Sequence, residues 1–211
     1  MPRGRLIAFE GGEASGKSTQ AARFADRLGA VLTREPGGTA LGEEIRQLVL
    51  HRPGPIDAHT EALLMLAARA EHVAEVVAPA LAEGRHVVAD RFSHSTLAYQ
   101  GYGRGLDLGD LRRMCSWAAS GLWPELVVLI VVPRAVALAR LGNAGDRLES
   151  AGEEFHARVN AGFEEMAATD PANWLVVDGD GAVDEVADRV WSAYSAWADR
   201  RRPTRAAGPG R

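Results

Sequence analysis

The segment 126–132 reads LVVLIVV, and 6–9 (LIAF), 86–89 (HVVA) and 174–177 (WLVV) are shorter runs of the same kind. A fifth and weaker run is 30–33, AVLT. Strands that are apolar at consecutive positions, not at every second one, are buried on both faces, as in a parallel sheet held between two layers of helices. Segments of helical period separate these runs: 18–28, 41–50, 60–81 with Pro79 near its end, 108–119, 135–141, 154–168 and 183–198. Strands alternating with helices predict right-handed β–α–β crossovers and an open α/β sheet covered on both faces. The break between the two helical segments 135–141 and 154–168 carries GNAGDRLES.

Directly after the first run stands the pattern Gly11-x-x-x-x-Gly16-Lys17-Ser18, and an amphipathic helical segment follows it. That is the context a P-loop requires. Its residues are Gly11, Gly12, Glu13, Ala14, Ser15, Gly16, Lys17, Ser18 and Thr19. Glycines let backbone N–H groups turn inward around phosphate oxygens, and the helix N-terminus adds partial positive charge. Lys17 can reach the β- and γ-phosphates, and the Ser18 hydroxyl can sit on Mg²⁺. Lys17 is the only lysine of the chain; every other residue in the Lys+Arg total of 24 is an arginine. A compact ammonium suits the space beneath a backbone-lined cradle, where a planar guanidinium does not. The loop by itself predicts ATP or GTP binding and leaves kinase, GTPase, motor and regulator open.

The rest of the composition narrows the setting. A formal net charge of −4 gives no general attraction to nucleic acid or an anionic membrane, so an anionic ligand must be gripped locally. The longest apolar run is far too short for a membrane span. The single Cys115 excludes an intramolecular disulfide and predicts a reduced, cytoplasmic setting. The N-terminal stretch is expected to carry no signal peptide. Residues 1–199 read as one domain, and 200–211, rich in Arg, Pro and Gly, read as a disordered, solvated tail.

Four further segments, TREPGGT at 33–39, EALLMLAARAEHV at 61–73, DRFSHSTLAYQGYGR at 90–104 and DRLE at 146–149, resemble those of the bacterial thymidylate kinases, in the same order and at the same spacing. With the P-loop, the resemblance spans residues 5 to 199. It implies a nucleoside-monophosphate kinase fold: a five-stranded parallel sheet, a P-loop and a short lid, here about 141–150. It also implies transfer of a phosphoryl group from ATP to dTMP with Mg²⁺, and a homodimer to which the helix 60–81 contributes.

The resemblance assigns roles by position. Arg34, Arg46 and Arg91 would fork onto the acceptor phosphate, a task guanidinium groups suit; a plain surface arginine is the competing reading for Arg46. Arg69, with Thr96 and Gln100, would hydrogen-bond the base. Met65 shares a helix face with Arg69 and stands where the family has a stacking phenylalanine. It reads equally as a thioether against a ring or as a plain core residue. Tyr99 would crowd the 2′ position of the sugar and Glu13 would meet its 3′-hydroxyl. Asp90 would hold a Mg²⁺-bound water, or else pair with an arginine. Since the P-loop carries no basic residue besides Lys17, the lid should supply the second cation at the phosphoryl group, from Arg147 or Arg140. Two other functions remain open: a kinase for another nucleotide or nucleoside, suggested by Met65, and a nucleotide-binding regulator, suggested by the sparse lid.

Overall fold

The computed structural model describes residues 3–140, 147–148 and 150–201. The described strands are β1 (Leu6–Glu10), β2 (Val31–Arg34), β3 (Val87–Asp90), β4 (Leu126–Val131) and β5 (Trp174–Asp178). They form one all-parallel sheet in the order β2-β3-β1-β4-β5. The helices are α1 (Lys17–Leu28), α2 (Ala40–His51), α3 (Ala58–His72), α4 (Ala78–Ala82), α5 (Ser93–Thr96), α6 (Leu108–Ala118), α7 (Arg134–Arg140), α8 (Glu153–Thr169) and α9 (Val183–Arg200). A π-helical turn, Val73–Val77, joins α3 to α4 without a break, so the single segment read at 60–81 is one continuous rod. The proposed tail boundary moves slightly, because α9 runs on to Arg200. The remainder of the tail and most of the expected lid lie outside the described residues.

The central strands explain their own composition. In β1, Ile7 and Phe9 face a core shared with Phe24 of α1 and Val190, Tyr194 and Trp197 of α9. Leu6 and Ala8 face the opposite way, against Val73, Val77 and Leu81. A strand with a layer of helices on each side needs apolar residues at every position. The two edge strands depart from the expectation of full burial. Leu32 of β2 is 48% exposed and Val176 of β5 is 58% exposed, each on a strand at the margin of the sheet.

The topology determines where the carboxyl ends of the strands meet. β1 lies between β3 and β4, so the chain reverses its winding direction beside β1, the position where open α/β sheets bind ligands. Register aligns Arg34 with Asp90 and Asp90 with Phe9. The ends of β2, β3 and β1 are therefore level, and the residues just beyond them share one crevice. α5 continues into a π-helical stretch, Leu97–Gly103, which carries Tyr99 and Gln100. Such wide turns recur at functional sites.

Candidate functional site

The P-loop backbone takes conformations that its glycines permit. Gly11 has φ 148, and a Cβ there would lie 2.5 Å from the Ile130 carbonyl oxygen. Gly16, at φ 89, opens α1 with no side-chain cap, which leaves the first N–H groups of the helix facing the loop. Lys17 is buried, and its Nζ donates to the Gly12 carbonyl at 3.1 Å. Burial, and next Arg91 nearby, lower its pKa.

Across from the loop, Arg91 holds a left-handed φ of 71, unusual for a residue with a side chain. Two sets of contacts stabilise the turn. On the backbone side, the buried Glu10 carboxylate accepts from the N–H of Phe92 at 2.9 Å, the N–H of Ser95 at 3.2 Å and the Ser95 hydroxyl at 2.6 Å. It thereby caps α5 from a different strand. Burial lifts the Glu10 pKa to about 7 despite those bonds and the nearby Arg91. On the side-chain side, the Arg91 guanidinium donates to Glu13 at 2.7 Å, Tyr99 Oη at 3.0 Å, Ser95 Oγ at 3.1 Å and the Gly11 carbonyl at 3.3 Å. The Tyr99 hydroxyl in turn donates to Glu13. Burial alone would raise the Glu13 pKa, but Arg91 and Lys17 bring it down to about 2. Glu13 is thus ionised, and it ties the P-loop to the turn after β3.

Between these parts lies a cavity of about 320 Å³ at the carboxyl ends of β1, β2 and β3. Its walls include Glu13, Lys17, Ser18, Arg34, Arg46, Met65, Arg69, Asp90, Arg91, Thr96, Tyr99 and Gln100. The chain collects them from two strand ends, the P-loop and the helices α1, α2, α3 and α5 with its π-helical extension. The lining combines arginines and Lys17 with the carboxylates of Glu13, Glu35 and Asp90 and with neutral and aromatic side chains. Such a lining suits a ligand that carries both negative charge and polar ring atoms. A second cavity, of about 480 Å³, adjoins the loop at Gly12 and Ser15 and runs along α7 and α8.

A scan against protein-family models matches the thymidylate kinase family over residues 9–190. A thymidylate kinase of Synechococcus sp. (strain JA-3-3Ab) is 50% identical over 192 residues, covering 89% of this chain and 93% of that protein. One of Leifsonia xyli subsp. xyli is 51% identical over 195 residues, covering 89% and 92%. The chain belongs to the thymidylate kinase family. The crystal structure of the Ehrlichia chaffeensis thymidylate kinase superposes with a TM-score of 0.77 at 30% identity, over 92% of this chain and 100% of that one.

Of the residues to which the family resemblance gave roles in acceptor binding, all line the first cavity. Their surroundings differ. Arg34 is exposed and pairs with Glu43 at 2.9 Å, while Arg46 donates to the Pro36 carbonyl at 3.0 Å. Met65 both lines the cavity and packs against the core. Arg69 has the partner that a charge in an apolar segment demands: its Nε donates to the buried Glu35 at 2.7 Å. Asp90 does not pair with an arginine among the described residues, and its Oδ1 is buried without a hydrogen-bond partner.

The two arginines expected of the lid, Arg140 and Arg147, are both among the described residues. Arg140 donates to the P-loop carbonyl of Ser15 at 3.4 Å and to the Gly179 carbonyl at 3.1 Å. Arg147 donates from Nε to the Val49 carbonyl at 2.8 Å, and its Nη2 lies 2.6 Å from Glu61. Neither lines the acceptor cavity. The lid segment proper, 141–146 with 149, lies outside the described residues.

Sequence reasoning missed Glu10, Glu35, Glu61 and His72. All four are buried, and Glu35 also lines the first cavity. His72 donates or accepts at Glu35 (2.9 Å) and Thr33 (2.6 Å), completing a buried chain Thr33–His72–Glu35–Arg69. The available signal was the one used for Arg69: an ionisable residue within an apolar stretch needs a partner.

Proposed function

We propose that the chain transfers the γ-phosphoryl group of ATP to dTMP, giving dTDP and ADP. The observation that carries this reading is the convergence, in one cavity beside the P-loop, of Lys17, Arg91, Tyr99, Arg69 and Gln100. A nucleotide monophosphate brings a phosphate, a deoxyribose and a base, and each meets a suitable group. Arg34, Arg46 and Arg91 receive the phosphate. Tyr99, fixed by Glu13, crowds the sugar. Arg69, Thr96 and Gln100 read the base edge.

Transfer of a phosphoryl group asks for positioning and charge neutralisation, not covalent chemistry by the protein. Lys17 sits beneath the donor phosphates and Arg91 faces the acceptor. The oxygen donors fit Mg²⁺: Ser18 lines the cavity at the loop, and the unpartnered buried oxygen of Asp90 faces a need for a ligand or its water. Among the described residues, no group of three or more His, Cys, Asp or Glu forms a metal cage, so phosphate oxygens and water would complete the shell. When bound, Mg²⁺ supplies charge neutralisation at the β- and γ-phosphates. Arg140 and the turn at 178–181 flank the other side of the P-loop, the side left for the donor nucleoside.

The position of Arg147 supports a role in holding α2 and α3 together more than one at the phosphoryl group. The chain is read as a single kinase domain in the cytoplasm. A homodimer is supported by Leu63 (55% exposed) on α3, Leu48 (51%) on α2 and Trp117 (84%) on α6, three helices that adjoin. Met65 in the cavity wall favours one broader reading, tolerance of dUMP beside dTMP. A coupled assay of ADP release with dTMP, dUMP, dGMP, dCMP and thymidine tests the assignment. It predicts the highest kcat/KM for dTMP and none for the unphosphorylated thymidine; preference for thymidine would contradict the role given to the arginines.

A further inference from the structure

We propose that Glu61, which does not line the cavity, determines which bases the pocket accepts by holding the Gln100 amide with its oxygen toward the acceptor nucleotide. The inference rests on the reading of this cavity as a nucleotide-acceptor site.

Glu61 lies on α3 and is fully buried, and one of its carboxylate oxygens is 2.8 Å from Gln100 Nε2. Its other oxygen meets Arg104 Nη2 at 3.2 Å and Arg147 Nη2 at 2.6 Å. Burial opposes its ionisation, but the bonds from Gln100, Arg104 and Arg147 bring its pKa below the ordinary carboxylate value. An ionised carboxylate only accepts hydrogen bonds. The amide group facing it must therefore be the NH₂, which turns Gln100 Oε1 away from Glu61. Gln100 also lines the cavity, so that oxygen is the group it offers there.

Arg69 is held in the same manner. Its Nε is engaged by the buried Glu35, and the guanidinium, which can only donate, also forms part of the cavity wall. The pocket thus shows a donor from Arg69 and an acceptor from Gln100. Thymine and uracil carry the complement, a carbonyl at C4 beside an N3–H. Cytosine carries the reverse, an amino group beside an unprotonated ring nitrogen. Buried polar groups left unpaired by the wrong partner reject it more strongly than an apolar wall does. Without the carboxylate behind it, the Gln100 amide can turn over and present its NH₂, which suits cytosine. Glu61 is a positioning residue for specificity.

The test measures kcat/KM for dTMP, dUMP and dCMP in the full-length protein carrying Glu61→Gln. The expected result is a fall of at least about tenfold in the dTMP/dCMP ratio, mainly through a higher KM for dTMP, with dUMP following dTMP. Arg104→Met disturbs the same ion cluster but spares the Glu61–Gln100 bond, and it should keep the ratio. Loss of selectivity in Arg104→Met equal to that in Glu61→Gln overturns the proposal in favour of a purely structural cluster, as does an unaltered ratio in Glu61→Gln. If Glu61→Gln does not fold, the double variant Glu61→Gln/Gln100→Glu restores one carboxylate and one amide with an oxygen facing the base. It should prefer dTMP; a folded double variant without that preference overturns the proposal. A wild-type protein that phosphorylates no nucleotide overturns the acceptor reading as well, whereas normal dTMP preference with an unaltered variant overturns this inference alone.

Discussion

Arg91 and Glu13, 78 positions apart in the chain, form an ion pair of 2.7 Å that fastens the P-loop to the turn after β3. The contact joins the loop to the acceptor side of the site. Glu13→Gln keeps the size but removes the charge opposite Arg91. Truncating one partner of a largely buried charge pair costs on the order of 2–5 kcal/mol. The expected effect is a fall of roughly 10²-fold in kcat/KM for dTMP, with KM for ATP changed by less than about threefold. Steady-state kinetics with each substrate varied in turn decides it; equal losses for both substrates would mean that the pair serves the whole fold.

Arg147 yields a prediction about stability. Its ion pair with Glu61 and its bond to the Val49 carbonyl link the end of α2 to α3. Arg147→Ala should lower stability by roughly 1–3 kcal/mol, or about 2–10 °C in Tm for a chain of this size. Thermal melting of the variant tests this. A loss of 10²–10⁵ in kcat, the size expected of an arginine finger, at an unchanged Tm would show instead that Arg147 leaves Glu61 to meet the phosphoryl group.

Glu10 predicts a pH dependence. Its pKa in the fold is about 7, raised from 4.5 mainly by burial. Between those values the folded state binds more protons than the unfolded one, so stability falls as pH rises. The contribution is complete below pH 4.5 and is lost as pH passes through about 7, on the order of 3 kcal/mol in all. Glu10→Gln removes this titration. Urea unfolding at pH 5 and pH 8 should show a smaller difference for the variant than for the wild type; equal differences would mean that Glu10 does not titrate in this window.

Met65→Phe places an aromatic ring in the cavity wall beside Arg69. Aromatic pairs contribute about 0.5–1.5 kcal/mol beyond the area they bury, so KM for dTMP should fall by roughly 2–10-fold. An unchanged KM with lower stability would make Met65 a core residue whose face toward the cavity is incidental.

The central strands were legible in the sequence because burial on two faces leaves a continuous apolar signature. The edges were less so: β2 gave only a weak run and β5 is half solvated, since a strand with one open side no longer needs every position apolar. The P-loop, Arg34 and Arg91 were legible because each lies in a short motif at or just after the end of a strand. The partners of those residues were not. Arg69 announced that it needed a counter-charge, but nothing local marks Glu35, 34 positions earlier, as the one that meets it. The same holds for Glu61, whose partners Gln100, Arg104 and Arg147 come from distant segments. Such pairings follow from how the helices pack on the sheet.

The most direct test of the whole account is whether dTDP forms from ATP and dTMP, and whether its formation depends on Lys17, which is buried beneath the P-loop with Nζ 3.1 Å from the Gly12 carbonyl. Product analysis with labelled ATP should show dTDP from the wild type and a rate at least about 10²-fold lower for Lys17→Arg, with both proteins folded. No dTDP from the wild type, or near-wild-type turnover by Lys17→Arg, would contradict it.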